Sequence, residues 1–266
     1  MKAAVIVACG GSGQRFGGGL RKQYLPVAGQ TVLEHTLDRF EAHPQVGPIV
    51  LVLPKEGRPA ELLAGLGRKY SKLIRVAEGG ADRQSSVSRG LAALLEAGPA
   101  GAFADPGLPG PGPAPALEAR APSSAGAAGF RLPWRGPVLV QDGVRPCAGE
   151  ALISRVIEGA LRWGACVPAI QARDTLKRAD GEGWITGTVE RSGLWQVQTP
   201  QGFDIGLLAE AYRAAEETGF RATDDAGLVE ALGRPARLVP GSPLNIKLTY
   251  EEDLPLIEAI LRGRVV

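Results

Sequence analysis

The sequence contains few of the residues on which several familiar kinds of catalysis depend. His35 and His43 are the only histidines among its 266 residues, so we expect no serine triad, zinc peptidase motif or histidine-based metal site. The three cysteines are too far apart for a CxxC metal site and too few for a disulfide framework. An odd number of cysteines is typical of a reducing compartment, so we expect a cytoplasmic location.

An excess of one charge and long apolar runs are also missing. Lys and Arg number 30 against 28 Asp and Glu, and this balance provides no broad field for nucleic acid. No apolar run reaches the roughly 18 residues that a membrane span needs. Residues 3–9 run into Gly10 without an Ala-x-Ala cleavage pattern, so we interpret them as a first strand rather than a secretion signal. We therefore expect neither nucleic acid nor a membrane as a partner, and only a local anion site.

Glycine and proline, in contrast, are abundant and concentrated in one segment. Residues 98–137 hold 8 Gly and 9 Pro among 40 positions, with 10 Ala beside them. Such a composition buries too little side chain to offset the entropy of ordering, so this segment is predicted to be a mobile surface insert. It connects a predicted helix end to a predicted strand start. We therefore expect residues 1–266 to form one domain that the insert interrupts.

Elsewhere, short apolar runs alternate with amphipathic stretches. This pattern predicts an α/β fold in which a mostly parallel sheet has helices on both faces. Thr31 and Glu34 form a capping box, which predicts the start of the first helix. Predicted strands cover residues 3–9, 48–53, 73–77, 138–141 and 166–170, and further predicted helices cover 83–97, 149–162, 205–218, 224–232 and 251–262.

The first predicted strand leads into a glycine-rich loop. Six of the ten residues from 10 to 19 are Gly, which lets backbone N–H groups approach a phosphate with no side chain in the way. Arg15, Arg21 and Lys22 add three cations. The loop matches neither G-x-x-x-x-G-K-[ST] nor G-x-G-x-x-G. A phosphate site and a glycine-rich turn beside an ordinary basic surface both stay open at this point.

Two further positions have the chemistry of an anion site. Asp142 follows the strand 138–141 and would face the same edge as the first loop, because open parallel sheets bind ligands at the carboxyl ends of their strands. Its carboxylate beside phosphates suits Mg²⁺; the alternative is an Asp that caps the next turn and pairs with Arg145. Lys247 stands in a short apolar alternation, where an unpaired ammonium would be costly to bury. Either its head reaches water or an anion meets it.

These residues belong to motifs that follow one another in a fixed order. With them the chain resembles the cytidylyltransferases of the non-mevalonate isoprenoid pathway, which join CTP to 2-C-methyl-D-erythritol 4-phosphate. The likeness covers nearly the whole chain apart from residues 98–137. The motifs are the glycine-rich loop ending in Arg21-Lys22-Gln23-Tyr24-Leu25, Gly79-Gly80 with Arg83 and Ser86, Asp142 with Arg145-Pro146, Arg173-Asp174-Thr175, Arg191 with Gly193-Leu194-Trp195, Thr199-Pro200-Gln201, Thr223-Asp224-Asp225-Ala226, and Asn245-Ile246-Lys247-Leu248-Thr249.

The resemblance implies a Rossmann-like fold and transfer of CMP from CTP to the polyol phosphate, with Mg²⁺ as cofactor. It implies catalytic cations at Arg15, Lys22 and Lys247 and a metal ligand at Asp142. Nucleotide-binding residues would be Gly10, Gly11, Gly13, Gly80, Arg83 and Ser86, and substrate-binding residues would be Arg145, Thr175, Arg191, Thr199 and Thr223. Residues 171–191 resemble an extended β-arm that family members exchange with a second subunit, which implies a homodimer.

Two alternatives stay open at this stage. One is a cytidylyltransferase that acts on ribitol 5-phosphate, a polyol phosphate of similar size; the residues around Arg191 favour methylerythritol. The other is an inactive CTP-binding regulator, suggested by the insert and by Gln141, where the family commonly has His. Retention of all the proposed cations and of Asp142 favours an active enzyme. Gly143 and Cys9 also depart from the family, which commonly has Ala at both positions.

Overall fold

The computed structural model describes residues 1–9, 21–57, 60–97 and 134–264. The strands are β1 (Ala3–Ala8), β2 (Pro26–Val27), β3 (Gln30–Thr31), β4 (Val46–Leu53), β5 (Leu73–Glu78), β6 (Pro137–Asp142), β7 (Ala165–Gln171), β8 (Leu176–Ala179), β9 (Ile185–Val189), β10 (Trp195–Val197), β11 (Gln201–Asp204) and β12 (Arg237–Pro240). The helices are α1 (Val32–Ala42), α2 (Ala60–Lys69), α3 (Arg83–Ala97), α4 (Glu150–Trp163), α5 (Ile205–Thr218), α6 (Asp225–Ala231) and α7 (Asp253–Leu261), with a 3-10 helix at Lys22–Tyr24. The glycine-rich loop and most of the insert, residues 98–133, lie outside the described residues.

Within the described ranges, eight strands form the central sheet, in the order β10-β7-β11-β6-β1-β4-β5, with β12 also paired to β7. β1, β4, β5 and β6 are parallel, and Val5 of β1 lies opposite Ile49 of β4 and Leu139 of β6. β10 and β11 are antiparallel to β7. The predicted α/β fold with a mostly parallel sheet is confirmed.

Helices cover both faces of this sheet, as predicted. Successive residues of a strand point to opposite faces, and β1 divides in this way between two cores. Val5 belongs to a core that includes Leu37 of α1 and Ile153 of α4. Ile6 belongs to a second core that includes Leu91 of α3. Burial on both faces explains why the parallel strands are continuous apolar runs.

A third, smaller core lies beside the carboxyl end of β6. It joins Val144, in the turn after β6, to Leu248 and to Ile257 of α7. The backbone N–H of Leu248 donates to the carbonyl of Val144 at 2.9 Å. This core therefore holds the segment that contains Lys247 next to the end of β6.

The structure contains the predicted elements and several that were not predicted. The capping box of α1 is confirmed, because Glu34 N–H donates to Thr31 Oγ1 at 3.2 Å and Thr31 N–H donates to Glu34 Oε2 at 3.0 Å. Helix α2 was missed because Gly65 and Gly67 lower its helix propensity. Strand β11 was missed because its four residues, Gln201–Asp204, show no alternation of apolar and polar side chains.

The predicted insert ends earlier than expected. Trp134 is partly buried against the second core, and Pro137 begins β6. Residues 134–137 therefore belong to the packed fold rather than to the insert. The difference arises because Trp134 supplies apolar surface that the overall composition of residues 98–137 conceals.

Strands β8 and β9 form an antiparallel hairpin, called the hairpin below, which is separate from the central sheet. It lies within the predicted arm, residues 171–191, whose first residue ends β7. Trp184 and Ile185, at and after its turn, are 71% and 66% exposed. Among the helices that the structure describes, none is both long enough and apolar enough to cross a membrane.

Candidate active site

Asp142 ends β6 at the same edge of the sheet at which β1 ends. Ala8 of β1 pairs with Asp142 in parallel register, and Cys9 follows directly. The carboxyl ends of the two strands therefore lie side by side, where an open parallel sheet binds its ligands. The loop that continues from Cys9 carries four of the predicted site residues, all outside the described residues: Gly10, Gly11, Gly13 and Arg15.

Three cations surround the carboxylate of Asp142. Lys247 Nζ lies 2.7 Å from Oδ2, Arg83 Nε 3.2 Å from Oδ1 and Arg145 Nε 3.8 Å from Oδ2. Burial alone would raise the pKa of Asp142, but the attraction of these cations outweighs burial and holds the pKa well below its ordinary value. Asp142 is therefore ionised at neutral pH. Arg145 is the most distant of the three, so a pair with Arg145 alone does not account for this carboxylate.

Lys247 lies in a loop rather than a strand, and the loop is anchored on both sides. Leu248 is buried in the third core, and Asn245 Nδ2 donates to the carbonyl of Thr199 at 2.8 Å. Lys247 thus reaches Asp142 while 41% of its side chain stays exposed. The two alternatives for Lys247 are therefore not exclusive, since its side chain is partly exposed and its ammonium also meets an anion.

Lys22 approaches the same loop from the other end of the chain. Its Nζ donates to the carbonyl of Leu248 at 3.1 Å. The next two residues, Gln23 and Tyr24, are buried, and Gln23 Nε2 donates to the carbonyl of Cys9 at 3.5 Å. These contacts fix the short helix that carries Lys22. Two of the three predicted catalytic cations therefore meet at one loop.

Two of the predicted substrate-binding residues also lie next to Asp142. Arg145 Nη1 donates to the carbonyl of Asn245 at 2.8 Å, and burial lowers its pKa. Thr199 is buried, and its Oγ1 accepts from the backbone N–H of Asp142 at 3.0 Å. Arg145 thus binds the loop that carries Lys247, and Thr199 binds the backbone of Asp142 itself. Among the hydrogen bonds of the described residues the hydroxyl of Thr199 only accepts, so its proton is available there for donation.

Gly80 and Ser86 lie together where β5 leads into α3. The backbone N–H of Gly80 donates to Ser86 Oγ at 3.0 Å, and Ser86 Oγ donates to the carbonyl of Asp82 at 2.7 Å. A Cβ atom added at Gly80 would lie 2.2 Å from Ser85 Oγ, so the backbone packs too closely for a side chain. The structure brings these two predicted nucleotide-binding residues into contact, and their role stays a prediction.

Arg83, the first residue of α3, bridges two buried carboxylates. Its Nε faces Asp142, and its Nη2 lies 2.7 Å from Asp225 Oδ2. Burial alone would lower the pKa of Arg83, but the attraction of Asp225 and Asp142 raises it above its ordinary value. These contacts give Arg83 a role within the chain. Its predicted contact with the nucleotide stays a prediction.

The remaining predicted substrate-binding residues are exposed. Thr175 directly precedes β8, and Thr223 precedes Asp224, which caps α6. Arg191 follows β9 and donates from Nη1 to the carbonyl of Arg173. In the part of the chain that the structure describes, no hydrogen bond or ion pair joins any of the three to Asp142.

The sequence did not indicate the contacts of two buried residues of the site. Asp225 is fully buried and accepts a hydrogen bond from the hydroxyl of Tyr212 at 2.5 Å in addition to its ion pair with Arg83. Gln141 is buried as well, and its Nε2 donates to the carbonyl of Arg145 at 3.1 Å. Asp225 belongs to the motif Thr223-Asp224-Asp225-Ala226. Its partners, however, are distant in sequence, so no local pattern could indicate them.

Asp142 offers one carboxylate to a metal ion. Among the described residues, no group of three or more His, Cys, Asp or Glu could hold a metal. Mg²⁺ commonly takes one or two protein carboxylates and completes its shell with phosphate oxygens and water. The ionised carboxylate of Asp142 fits such a shared site, in which Lys247 would release Oδ2.

The site places lysine and arginine around a buried carboxylate at the carboxyl ends of parallel strands. Such cations are suited to bind nucleotide phosphates and to stabilise the charge that develops in their transfer. This is the chemistry of a nucleotidyltransferase. The sequence profile of the 2-C-methyl-D-erythritol 4-phosphate cytidylyltransferase family matches residues 3–100 and 134–263, and the chain belongs to this family. The residues between the two matched segments, 101–133, fall within the predicted insert.

Individual relatives extend this similarity over the whole chain. A 2-C-methyl-D-erythritol 4-phosphate cytidylyltransferase of Geobacillus kaustophilus is 35% identical over 267 residues, which cover 100% of this chain and 99% of that protein. One of Pelotomaculum thermopropionicum is 36% identical and covers 99% and 95%. The crystal structure of the enzyme from Thermus thermophilus matches with a TM-score of 0.70 at 32% identity and covers 98% of this chain and 100% of that one.

Proposed function

We propose that this chain transfers CMP from CTP to 2-C-methyl-D-erythritol 4-phosphate, giving 4-diphosphocytidyl-2-C-methyl-D-erythritol and pyrophosphate for isoprenoid precursor synthesis. Full-length similarity to cytidylyltransferases supports the proposal. The structural observation that carries it is the meeting of Lys22 and Lys247 at one anchored loop beside the ionised Asp142.

The reaction needs positive charge more than a base. A phosphate oxygen of the polyol substrate attacks the α-phosphorus of CTP, and the bond from that phosphorus to the bridging oxygen of the β-phosphate breaks. The attacking phosphate is already an anion, so no proton has to be removed from it. Both histidines are bonded elsewhere, His35 to the carbonyl of Val27 at 2.8 Å and His43 to Ser154 Oγ at 3.0 Å.

The two lysines would stabilise the charge on the phosphate oxygens in the transition state. Such groups are effective when they are held in place before the reaction. The loop of Lys247 is fixed by the burial of Leu248, and Lys22 is fixed by the buried residues that follow it. Arg15 is proposed as the third catalytic cation, from the glycine-rich loop that also carries Gly10, Gly11 and Gly13.

Mg²⁺ is proposed as the cofactor, held by Asp142 and by the phosphates of CTP. When bound, it would neutralise phosphate charge and orient the leaving group. Lys247 would then turn from Asp142 to the substrate oxygens, a movement that its partly exposed side chain permits. Arg83 would keep its contact with Oδ1 of Asp142.

One subunit would hold the polyol phosphate through Arg145, Thr199 and Thr223. A second subunit would contribute Thr175 and Arg191. We propose a homodimer in which the hairpins are exchanged. The exposure of Trp184 and Ile185 supports this assembly, because large apolar side chains at such exposure mark interaction surfaces.

The three cysteines support a cytoplasmic location. All are unpaired and buried, and burial raises the pKa of Cys147 to about 11 and that of Cys166 to about 12. Free thiols without a disulfide suit a reducing compartment.

Pyrophosphate release tests the proposed function. The purified protein is mixed with CTP and Mg²⁺ and with each polyol phosphate in turn, and Lys247→Ala purified in the same way controls for contaminating activity. We expect release with 2-C-methyl-D-erythritol 4-phosphate. Faster release with ribitol 5-phosphate would assign the enzyme to the other substrate. No release with either, despite measurable CTP binding, would favour the inactive regulator.

A further inference from the structure

A second buried carboxylate holds Arg83 through a different nitrogen from the one that faces Asp142. Asp225, the first residue of α6, has no exposed surface. Its Oδ2 lies 2.7 Å from Arg83 Nη2, and its Oδ1 accepts from the hydroxyl of Tyr212, a buried residue of α5, at 2.5 Å. Both oxygens of Asp225 are thus used inside the protein.

Arg83 connects Asp225 to Asp142 through a rigid group. The guanidinium is planar and its donors point in fixed directions, so two partners on different nitrogens fix its orientation. In that orientation only Nε approaches Asp142, at Oδ1. The other oxygen, Oδ2, is left to Lys247 at 2.7 Å, with Arg145 Nε farther away at 3.8 Å.

We propose that Asp225 is a positioning residue for CMP transfer, which with Tyr212 orients Arg83 so that Oδ2 of Asp142 stays available to Lys247 and to the metal. This inference rests on the proposed function. Asp225 acts through Arg83, because its full burial keeps it from the substrate.

Arginine has a strong alternative geometry that Asp225 prevents. A guanidinium beside a lone carboxylate forms two parallel hydrogen bonds, one to each oxygen. Without Asp225, Nη2 of Arg83 would lose its partner and could reach Oδ2 of Asp142. Arg83 would then compete with Lys247 and with Mg²⁺ for the same oxygen.

The variant Asp225→Asn tests the proposal, with Asp204→Asn as its matched control. Both lose one carboxylate, but Asp204 is exposed and caps α5, a task that Asn performs equally well. Asp204 pairs with Pro137, at the opposite end of β6 from Asp142. Changes to residues that orient a metal ligand typically cost about 10- to 100-fold in activity. We expect a fall of this size in kcat for Asp225→Asn, with KM for CTP within about threefold of wild type at saturating Mg²⁺, and near wild-type kcat for Asp204→Asn.

A second experiment separates positioning from a general effect on folding. If Asp225 acts through Arg83, adding Asp225→Asn to Arg83→Met lowers kcat by less than about threefold further. Losses that multiply would overturn the proposal, as would a wild-type kcat for Asp225→Asn. Should Asp225→Asn fail to fold, Tyr212→Phe decides, since it removes one hydroxyl; we expect its kcat to fall by about three- to tenfold, and an unchanged kcat contradicts the proposal.

A readout without turnover keeps this inference distinct from the proposed function. If wild type releases no pyrophosphate with either polyol phosphate, the proposed function fails on its own. Calorimetric titration of Mg²⁺ into the CTP-bound protein then decides the role of Asp225. We expect Asp225→Asn to weaken Mg²⁺ binding about tenfold relative to Asp204→Asn, and equal binding in the two variants overturns the positioning role.

Discussion

The charge cluster around Asp142 and the hairpin both carry proposed site residues, but they are stabilised in different ways. The charge cluster consists of Asp142, Arg83, Arg145, Lys247 and Asp225. All four oxygens of its two carboxylates have a cation or a hydroxyl within 3.2 Å. Its members come from distant parts of the chain, and its two carboxylates are buried.

The hairpin, in contrast, keeps its shape by bonds between its own residues. Lys177 Nζ donates to Thr188 Oγ1 at 2.6 Å, and the N–H of Trp184 donates to Asp180 Oδ1 at 2.9 Å. Its largest apolar side chains, Trp184 and Ile185, are 71% and 66% exposed in the described part of the chain. The comparison indicates that contacts within one chain hold the charge cluster in place, whereas the large apolar side chains of the hairpin stay exposed in the described part of the chain.

The largest expected effect comes from removing a cation beside Asp142. Loss of a group that stabilises transition-state charge commonly lowers kcat about 10²- to 10³-fold, and we expect this for Lys247→Ala and for Lys22→Ala. Lys177→Ala is the matched control in the hairpin, where the ammonium is exposed, and its kcat should stay near wild type. Steady-state kinetics with circular dichroism on the same samples checks this. A loss in Lys177→Ala as large as in Lys247→Ala would contradict the difference between the two regions.

The next effect concerns Arg191, which is exposed beside the hairpin. Charge-assisted hydrogen bonds contribute about 1.5–3 kcal/mol, so we expect Arg191→Ala to lower kcat/KM for the polyol phosphate about 10- to 100-fold. Stability should change by no more than about 0.5 kcal/mol, because the side chain is exposed. Kinetics and urea unfolding measure the two quantities. An unchanged kcat/KM would remove Arg191 from the substrate site.

The exposed apolar pair of the hairpin tests the proposed dimer. Each large apolar side chain that becomes buried contributes about 1.5–3 kcal/mol, so Trp184→Ser with Ile185→Ser should weaken dimerisation at least about tenfold. Sedimentation across a range of concentrations measures this, and activity should fall on dilution together with the dimer. A variant that stays dimeric at the concentrations where wild type does would show that another surface forms the dimer.

Much of the buried architecture could be predicted from the sequence, because it depends on local patterns. Continuous apolar runs identified the parallel strands, and the pair of Thr31 and Glu34 located the start of α1. The same logic placed Asp142 at the edge where β1 ends. The antiparallel strand β11, which lies between β6 and β7, could not be predicted, because its pairing depends on contacts distant in sequence.

The site shows the same limit. Single cations and Asp142 could be identified, because each residue type suits phosphate chemistry. The connection from Asp225 through Arg83 to Asp142 could not, since it joins residues of three separate elements and no spacing along the chain reports it. Sequence motifs therefore indicated several residues that lie beside Asp142, but not which of them hold the others in place.

The smallest expected effect comes from the contact between Cys9 and Gly143. It tests how tightly the residues beneath the charge cluster are packed. A Cβ atom added at Gly143 would lie 2.1 Å from Cys9 Sγ, and the N–H of Gly143 is held by the carbonyl of Ala8 at 2.9 Å. The family commonly has Ala at both positions. Here the larger side chain of Cys9 occupies the space that a side chain at residue 143 would need, so the two departures compensate each other. Burial, with a smaller effect of Asp142, raises the pKa of the Cys9 thiol above its ordinary value, so it stays neutral and fills space.

We expect Gly143→Ala alone to destabilise the protein by about 1–3 kcal/mol through overpacking. Cys9→Ala alone should cost about 1 kcal/mol for lost apolar contact. The double variant restores the small pair, so its loss should be smaller than that of Gly143→Ala alone. Urea unfolding of all four proteins measures this coupling. Additive losses would show that the backbone at residue 143 moves away from Cys9. The packing beneath Asp142 would then be less rigid than the cluster of cations around its carboxylate.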